Sequence, residues 1–296
     1  MKRAFLKSIF HPSDFSEASE IAFVHALRIA LDTGAKLNML HVTPGEDGDW
    51  SDFPGVRAAL ERWELLPAGS PPSAVGRLGI DVSKAIISSG GQPVRASLQY
   101  LEGRPADLIV LAVHQYDGRM RWLEQRVGEP IARRSGEMTL FIPYGVPGFV
   151  SRNDGAICLQ SVLVPIAKKP RAQPAVEAAA MMIRSLRLPS GTMHLLHVGP
   201  ESTVPSVNVP PVDGWSTNRL LADGDPAEVI VQMAEQVGAG LIVMTTEGPH
   251  GFLDALRGST SERVLRRSSC PVVSLPAHQW LSRVRQFWTS QKSNGD

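Results

Sequence analysis

The sequence predicts an α/β protein built from two Rossmann-like, doubly wound, five-stranded parallel-sheet domains in tandem. Short apolar segments alternate with amphipathic helical segments along the whole chain. Two of the apolar segments, "LIVLAV" and "LIVMTT", show no polar alternation, and the whole pattern occurs twice. Strands that alternate with helices form crossover units, in which the strands run parallel and are buried on both faces.

The duplication is visible in blocks that return in the same order. "LNMLHV" at 37–42 returns as "MHLLHV" at 193–198, and "TLFIP" at 139–143 returns as "VVSLP" at 272–276. The long block "GGQPVRASLQYLEGRPADLIVLAV" returns as "DGDPAEVIVQMAEQVGAGLIVMTT". Because shared composition does not produce repeated blocks in one order, the chain is interpreted as a tandem duplication.

In the first copy, the strand "LKSIF" precedes a helix predicted over 17–32, and Gly34 is placed to end it with a left-handed cap. "LNMLHV" precedes a helix predicted near 56–66, and "KAIIS" precedes one near 94–102. "DLIVLAV", a last helix and "TLFIP" complete the unit.

The second copy is shorter. Four prolines lie between Val198 and Leu220, namely Pro200, Pro205, Pro210 and Pro211. Because proline lacks the backbone donor and clashes with the preceding turn, a long loop is predicted where the first copy has its helix near 56–66. The join between the copies is placed in the Gly- and Pro-rich stretch 145–156.

We therefore assign 1–148 to the first domain, 157–279 to the second and 280–296 to an amphipathic C-terminal tail. The tail carries apolar residues at helical spacing, namely Trp280, Leu281, Val284, Phe287 and Trp288. With few positive charges beside this stripe, docking on the protein itself or on a second chain is favoured over a membrane.

Composition narrows the function classes. The formal net charge of +1 does not favour a nucleic-acid partner. No apolar run reaches the length of a membrane helix, and the two cysteines, Cys158 and Cys270, do not make a disulfide framework. These features predict a cytoplasmic protein with neither nucleic-acid nor membrane partners.

With these blocks in place, the chain resembles a tandem universal stress protein. The resemblance covers about 5–143 and 161–276. It is carried by "HPSDFSEAS", the two strands ending in "LHV", "GQP" and "GDP", "ADLIVLAVH", "GLIVMTTEGPHG" and "GSTSERVLRRSSCPVVSLP". It implies a stress-response role and pairing of single units through their last strands. Here the two copies are expected to pair within one chain near Leu140 and Val273, as a pseudo-dimer, and a homodimer of whole chains stays open.

Some members of this family bind ATP through Gly-x-x-Gly, nine residues and then Gly-Ser or Gly-Thr, with an aspartate after the first strand. Glycines allow backbone amides to approach phosphate, and the helix start that follows favours an anion. The resemblance thus implies that ATP or another adenine nucleotide contacts Pro165, Val198, Thr246, Gly248, Gly251, Gly258, Ser259 and Thr260 in the second copy, and Asp14 and Val42 in the first.

Neither copy carries the full pattern. The second has only six residues between Gly251 and Gly258, and Ala167 stands where the aspartate is expected. The first keeps Asp14 and a nine-residue interval, but Gln115 replaces the first glycine, and Glu129 and Pro130 replace the hydroxyl residue and its neighbour. The second copy is therefore the better candidate site.

Other interpretations stay open. Ser259 followed by Glu262 is also typical of a capping box, and Asp14 with Glu17 of a helix cap. His194 and His197 point to opposite faces of a strand, so no metal site is predicted. The glycine loop contains no lysine and is not a Walker loop.

We predict a regulatory protein without catalytic residues. The alternatives are an interaction module with decayed nucleotide sites and a nucleotide-hydrolysing or adenylating enzyme. The partner protein is not predicted.

Overall fold

The structure, a computed structural model, describes residues 5–43, 50, 53–90, 92–116, 119–121, 128–246 and 259–277. The chain divides into two compact units. The first comprises Leu6–Ser135 and Thr139–Cys158, and most of the second is Leu159–Asp296. The stretch 149–158, which includes most of the predicted join, therefore belongs to the first unit.

The first unit contains β1 (Ser8–Pro12), α1 (Glu17–Thr33), β2 (Lys36–Thr43), α2 (Val56–Arg62), α3 (Ala74–Arg77), β3 (Val82–Ser88), α4 (Pro93–Gly103), β4 (Leu108–Tyr116), β5 (Arg119–Arg121), α5 (Gly128–Ser135) and β6 (Thr139–Pro143). Five strands run parallel in the order β3-β2-β1-β4-β6. The short β5 pairs antiparallel with β4.

The second unit contains β7 (Ser161–Pro165), α6 (Gln173–Ser185), β8 (Gly191–Val198), β9 (Trp215–Ala222), α7 (Pro226–Gln236), β10 (Leu241–Thr246), α8 (Thr260–Arg267) and β11 (Val272–Pro276). Its five strands are parallel, in the order β11-β10-β7-β8-β9. The predicted fold class, with one five-stranded parallel sheet in each copy, is confirmed.

Local sequence explains the helix ends. The Ser16 hydroxyl accepts a hydrogen bond from Ser19 N–H at the start of α1, and Gly34 ends the helix with a φ of 68°. Gly34 is thus the left-handed cap that the sequence predicts. The helix predicted over 56–66 is shorter and ends at Arg62, because Glu64 has a φ of 58°, which an α-helix cannot continue.

The loop predicted for the second copy is confirmed. Between β8 and β9 the chain forms a single 3₁₀ turn, Glu201–Thr203, and otherwise no regular element. The loop is held to α6 by side chains. Gln173 exchanges two hydrogen bonds with the backbone of Asn208, at 2.9 and 2.8 Å, and Arg184 donates to the carbonyl of Pro211.

The core of each unit lies on both faces of its sheet. All six residues of β10 are buried, as are 108–113 of β4. Buried strands without polar alternation are the pattern of a parallel sheet that helices cover on both sides. The helices of the described ranges include none with the length and apolar content needed to cross a membrane.

Candidate functional site

Three of the predicted second-copy residues lie at the carboxyl edge of the sheet. Pro165 ends β7, Val198 ends β8 and Thr246 ends β10. Pro165 pairs with Leu196, so β8 runs two residues past the end of β7. Ile242 pairs with Leu163, so β10 also runs two residues past the end of β7. The end of β7 is therefore recessed between two longer strands.

This recess lies at the switch point of the sheet. From β7 the chain moves outward to β8 and β9, and then crosses back to β10 and β11 on the other side. Open α/β sheets bind ligands in the crevice outside the carboxyl ends of the strands where the strand order reverses. Pro165 and Thr246 border that crevice directly.

Ser259 stands at the start of α8. Its hydroxyl accepts a hydrogen bond from Glu262 N–H at 3.2 Å, so Ser259 is the N-cap of this helix, as one interpretation of the sequence holds. Thr260 is the first residue of α8. The three loop glycines, Gly248, Gly251 and Gly258, lie outside the described residues, and so does the tail 280–296.

The segment after β7 is basic. Ala167, which replaces the expected aspartate, is exposed, and so are Lys168, Lys169 and Arg171. The segment after β1 carries Asp14 and then Glu17 instead. The two copies therefore present opposite charge beside equivalent strand ends.

One histidine has the same backbone contact in both copies. His197 Nδ1–H donates to the carbonyl of Ile166 at 3.0 Å, and His41 Nδ1–H donates to the carbonyl of Ser13 at 2.7 Å. Each bond ties the second strand of a copy to the residue that follows its first strand. His41 is thus a packed strand residue, as predicted. His194 instead lies 3.5 Å from the side chain of Asn218.

Asp14 is not a helix cap. Its Oδ1 accepts hydrogen bonds from Ser16 N–H at 3.0 Å and from the Ser16 hydroxyl at 2.7 Å, and Ser16 is the residue that caps α1. The interpretation of Asp14 with Glu17 as a cap is therefore wrong by two residues. The reason is that Ser16 has the extended backbone of an N-cap, and Asp14 orients its hydroxyl.

An aromatic group lies beside the strand ends of the first copy. Phe15 adopts a φ of 63°, and its ring stacks on His41 with centroids 3.9 Å apart. Phe53 packs edge-on against Phe15 at 5.1 Å. Val42, the predicted ligand residue, is next to His41 and pairs with Ile87. No sequence signal indicates Phe15, because a positive φ is uncommon for a bulky residue.

In the first copy, the chain after β4 forms a hairpin. Gln115 pairs with Met120, and Tyr116 with Arg119, in an antiparallel ladder. Backbone groups that bond to each other in this ladder are not directed at a phosphate. This region is therefore a short hairpin where the resemblance implies the start of a phosphate loop.

A buried Ser–His pair lies near the end of β1. His11 Nδ1–H donates to the carbonyl of Val110 at 3.1 Å, and the Ser19 hydroxyl lies 3.4 Å from Nε2. Burial lowers the pKa of His11 to about 4, which favours the neutral ring. Because His11 and Ser19 are 0% and 1% exposed, a substrate does not reach this pair, and it is structural.

Among the described residues, His, Cys, Asp and Glu side chains form no group of three or more that is placed to hold a metal ion.

The sequence profile of the universal stress protein family matches residues 6–143 and 214–276, which together make up most of the chain and fall in both units. The chain belongs to the universal stress protein family.

Curated relatives match part of this universal stress protein. A universal stress protein of Methanocaldococcus jannaschii is 45% identical over 60 residues, 20% of this chain and 35% of the relative. One from Bacillus subtilis is 35% identical over 60 residues, 20% of this chain and 40% of the relative. Each match thus spans less than half the length of the relative.

Solved structures match nearly the whole chain. A universal stress protein from Archaeoglobus fulgidus DSM 4304 has a TM-score of 0.62 at 19% identity, over 91% of this chain and 98% of that one. A functionally unknown protein of Pseudomonas aeruginosa PAO1 has a TM-score of 0.61 at 14% identity, over 95% and 98%. At these identities the likeness shows the fold of this universal stress protein.

Proposed function

We propose that this universal stress protein is a cytoplasmic stress-response protein that binds ATP or another adenine nucleotide in its second copy and acts by regulation. The observation that carries the proposal is the recess at the switch point of the second sheet, between Pro165, Val198 and Thr246. Pro165, Val198 and Thr246, which the family resemblance selects, end the recessed strand and its two neighbours, and this supports the proposal.

Charge supports this choice of copy. The exposed Lys168, Lys169 and Arg171 follow β7 in the second copy, and a positive surface at a crevice favours a phosphate-bearing ligand. The helix start at Ser259 and Thr260 adds backbone N–H groups and the positive end of the helix dipole. Each of the two features favours an anionic ligand group.

The first copy is the weaker candidate. Its equivalent helix carries Glu129, and a carboxylate about 4 Å from a phosphate costs on the order of 4 kcal/mol at an effective dielectric of 20. That cost corresponds to about three powers of ten in affinity. Asp14 is already engaged by Ser16, and Gln115 lies in the hairpin ladder.

Calorimetric titration of the whole chain with ATP, ADP and AMP tests the proposal. We expect one nucleotide per chain, and no release of phosphate from ATP over hours, since the role is regulatory. If the chain gives no binding heat at millimolar nucleotide, the binding proposal is wrong. Steady hydrolysis that follows the chain through purification would instead indicate an enzyme.

The second candidate function is an interaction module with decayed nucleotide sites. It is favoured by Ala167, which leaves the second copy without the expected carboxylate, and by the six-residue interval before Gly258. Losing a hydrogen bond to a charged group costs roughly 1.5–3 kcal/mol. Nucleotide that stays with the chain through gel filtration would exclude this candidate.

A further inference from the structure

The edge strand β9 of the second unit is open to solvent. Ser216, Thr217, Asn218 and Arg219 are all exposed, and Leu221 is 51% exposed. Within the described part of the chain, β9 pairs with β8 alone. An exposed edge strand of this length is a template for pairing with another chain.

In the first copy the side chains of the equivalent edge strand, β3, are mostly half-buried. Lys84 lies over the ring of Phe53 at 5.3 Å and donates to the carbonyl of Pro54 at 3.4 Å. Both partners come from the segment that leads into α2. The prolines of the second copy remove that helix, and Arg219, the counterpart of Lys84 by strand register, is exposed. The greater exposure of the β9 side chains is therefore a consequence of the shortened repeat.

The direction of the backbone groups of β9 follows from one contact. Gly199 N–H donates to the carbonyl of Ala222 at 2.8 Å, so Ala222 faces β8. Residues alternate along a strand, and the N–H and C=O groups of one residue point to the same side. Thr217, Arg219 and Leu221 therefore direct their backbone groups away from β8, into solvent.

We propose that β9 is a self-association surface, which pairs antiparallel with β9 of a second copy of this chain about a two-fold axis at Asn218. In this register Thr217 lies opposite Arg219 of the partner subunit, and Leu221 lies opposite Trp215 of the partner subunit. The exposed side chain of Leu221 thereby gains an aromatic partner. Cross-strand pairs of an aliphatic and an aromatic side chain stabilise antiparallel sheets.

Charge and packing favour this register over its neighbour. A two-fold axis at Arg219 would place two guanidinium groups directly opposite each other, which is destabilising. The axis at Asn218 avoids this pair. Trp215 is held in one position, because its Nε1–H donates to the carbonyl of Leu188 at 3.2 Å and its ring lies over Gly191 of β8. Isologous contacts of this kind close as a dimer.

Disulfide trapping in the whole chain tests the register. In a Cys158→Ser background, which removes the exposed native thiol, we introduce Asn218→Cys or Ser216→Cys. Facing residues of a non-hydrogen-bonded antiparallel pair have Cα atoms about 4.5 Å apart, within disulfide range. Two copies of position 216 would lie about 13 Å apart. We expect dimers on oxidation with Asn218→Cys and not with Ser216→Cys.

Sedimentation of the wild type over a concentration series gives the second measurement. We expect a monomer–dimer equilibrium, with the dissociation constant raised about tenfold or more by Arg219→Pro, which removes an outward N–H donor, and by Leu221→Glu. Leu221→Glu changes an exposed side chain, so its result does not depend on the fold tolerating proline. A wild type that stays monomeric, a dimer that both variants leave unchanged, or equal trapping at 216 and 218 would each overturn the proposal.

Discussion

His25 Nε2 accepts a hydrogen bond from the backbone N–H of Phe149 at 3.0 Å, and the two rings pack edge to face with centroids 4.7 Å apart. The same nitrogen accepts a second bond from Val150 N–H at 3.2 Å, and Nδ1–H donates to the carbonyl of Ile21. A neutral ring in one tautomer satisfies all three contacts. His25 therefore fastens the segment after β6 to helix α1.

Replacing this histidine should destabilise the first unit. His25→Ala leaves two buried N–H groups without an acceptor, and we expect a loss of about 2–4 kcal/mol in the free energy of unfolding. Urea denaturation measures it. The matched control is His194→Ala, at a partly exposed position on β8, which should change stability by about 0.5 kcal/mol or less. Equal losses in the two variants would contradict the role of His25.

Stability should also fall in mild acid. Burial lowers the pKa of His25 and of His11 to about 4, from 6.5 in the unfolded chain. Above pH 6.5 both states are neutral, and these groups add no pH dependence. Between pH 6.5 and 4 the unfolded chain binds protons that the folded chain excludes. Each histidine then lowers the free energy of unfolding by about 1.4 kcal/mol per pH unit. Between pH 6.5 and 4 this amounts to about 3 kcal/mol for each histidine.

Denaturation of the wild type and of His25→Ala at several values between pH 7.5 and 4 checks this origin. The variant should lose the contribution of one histidine, so its slope should be smaller by about 1.4 kcal/mol per pH unit. Carboxylates that titrate in the same range contribute to both slopes and cancel in the difference. Identical slopes would show that His25 is not a source of the acid sensitivity.

Gly155 should resist substitution more than Gly69. Both have positive φ, 69° and 76°, but a Cβ at Gly155 would lie 2.5 Å from Cδ2 of Trp63, whereas the space beside Gly69 is open. Gly69→Ala should cost about 1–2 kcal/mol for the backbone alone. Gly155→Ala should cost a further 1–3 kcal/mol or so, because the buried ring must move. Thermal denaturation of both variants compares them, and equal melting temperatures would contradict the close contact.

The hydroxyl of Ser259 should stabilise α8. Ser259→Ala removes the acceptor for Glu262 N–H and should cost about 1 kcal/mol, while Ser259→Gly should cost only a few tenths. Denaturation of both variants separates the cap from the rest of the helix. A loss of nucleotide affinity in Ser259→Gly, with stability nearly unchanged, would show that the hydroxyl also contacts the ligand.

Nucleotide binding should depend on the second copy alone. Gly258→Glu adds a side chain and a negative charge where phosphate is proposed to lie, and about a thousandfold loss of affinity is expected at a 4 Å approach. Glu129→Lys changes the equivalent helix of the first copy and should leave the measured affinity unchanged. Calorimetry with ATP measures both. If Glu129→Lys alters binding and Gly258→Glu does not, the site is in the other copy.

The sequence by itself determined the duplication, the parallel sheets and the proline-rich loop of the second copy. These follow from short-range signals: apolar runs without alternation in β4 and β10, Gly34 after α1, and prolines that exclude a helix. The family resemblance also selected Pro165, Val198 and Thr246, and the structure places them at the ends of β7, β8 and β10.

The tertiary structure decided what those residues touch. Asp14 orients Ser16 rather than capping α1, and Phe15 takes a positive φ to stack on His41, contacts that depend on how β1 meets β2. The recess beside Pro165 depends on strand register. The hydrogen bond between His25 and Phe149 joins residues more than a hundred positions apart. Long-range contacts of this kind are set by packing in three dimensions, so no local pattern in the sequence encodes them.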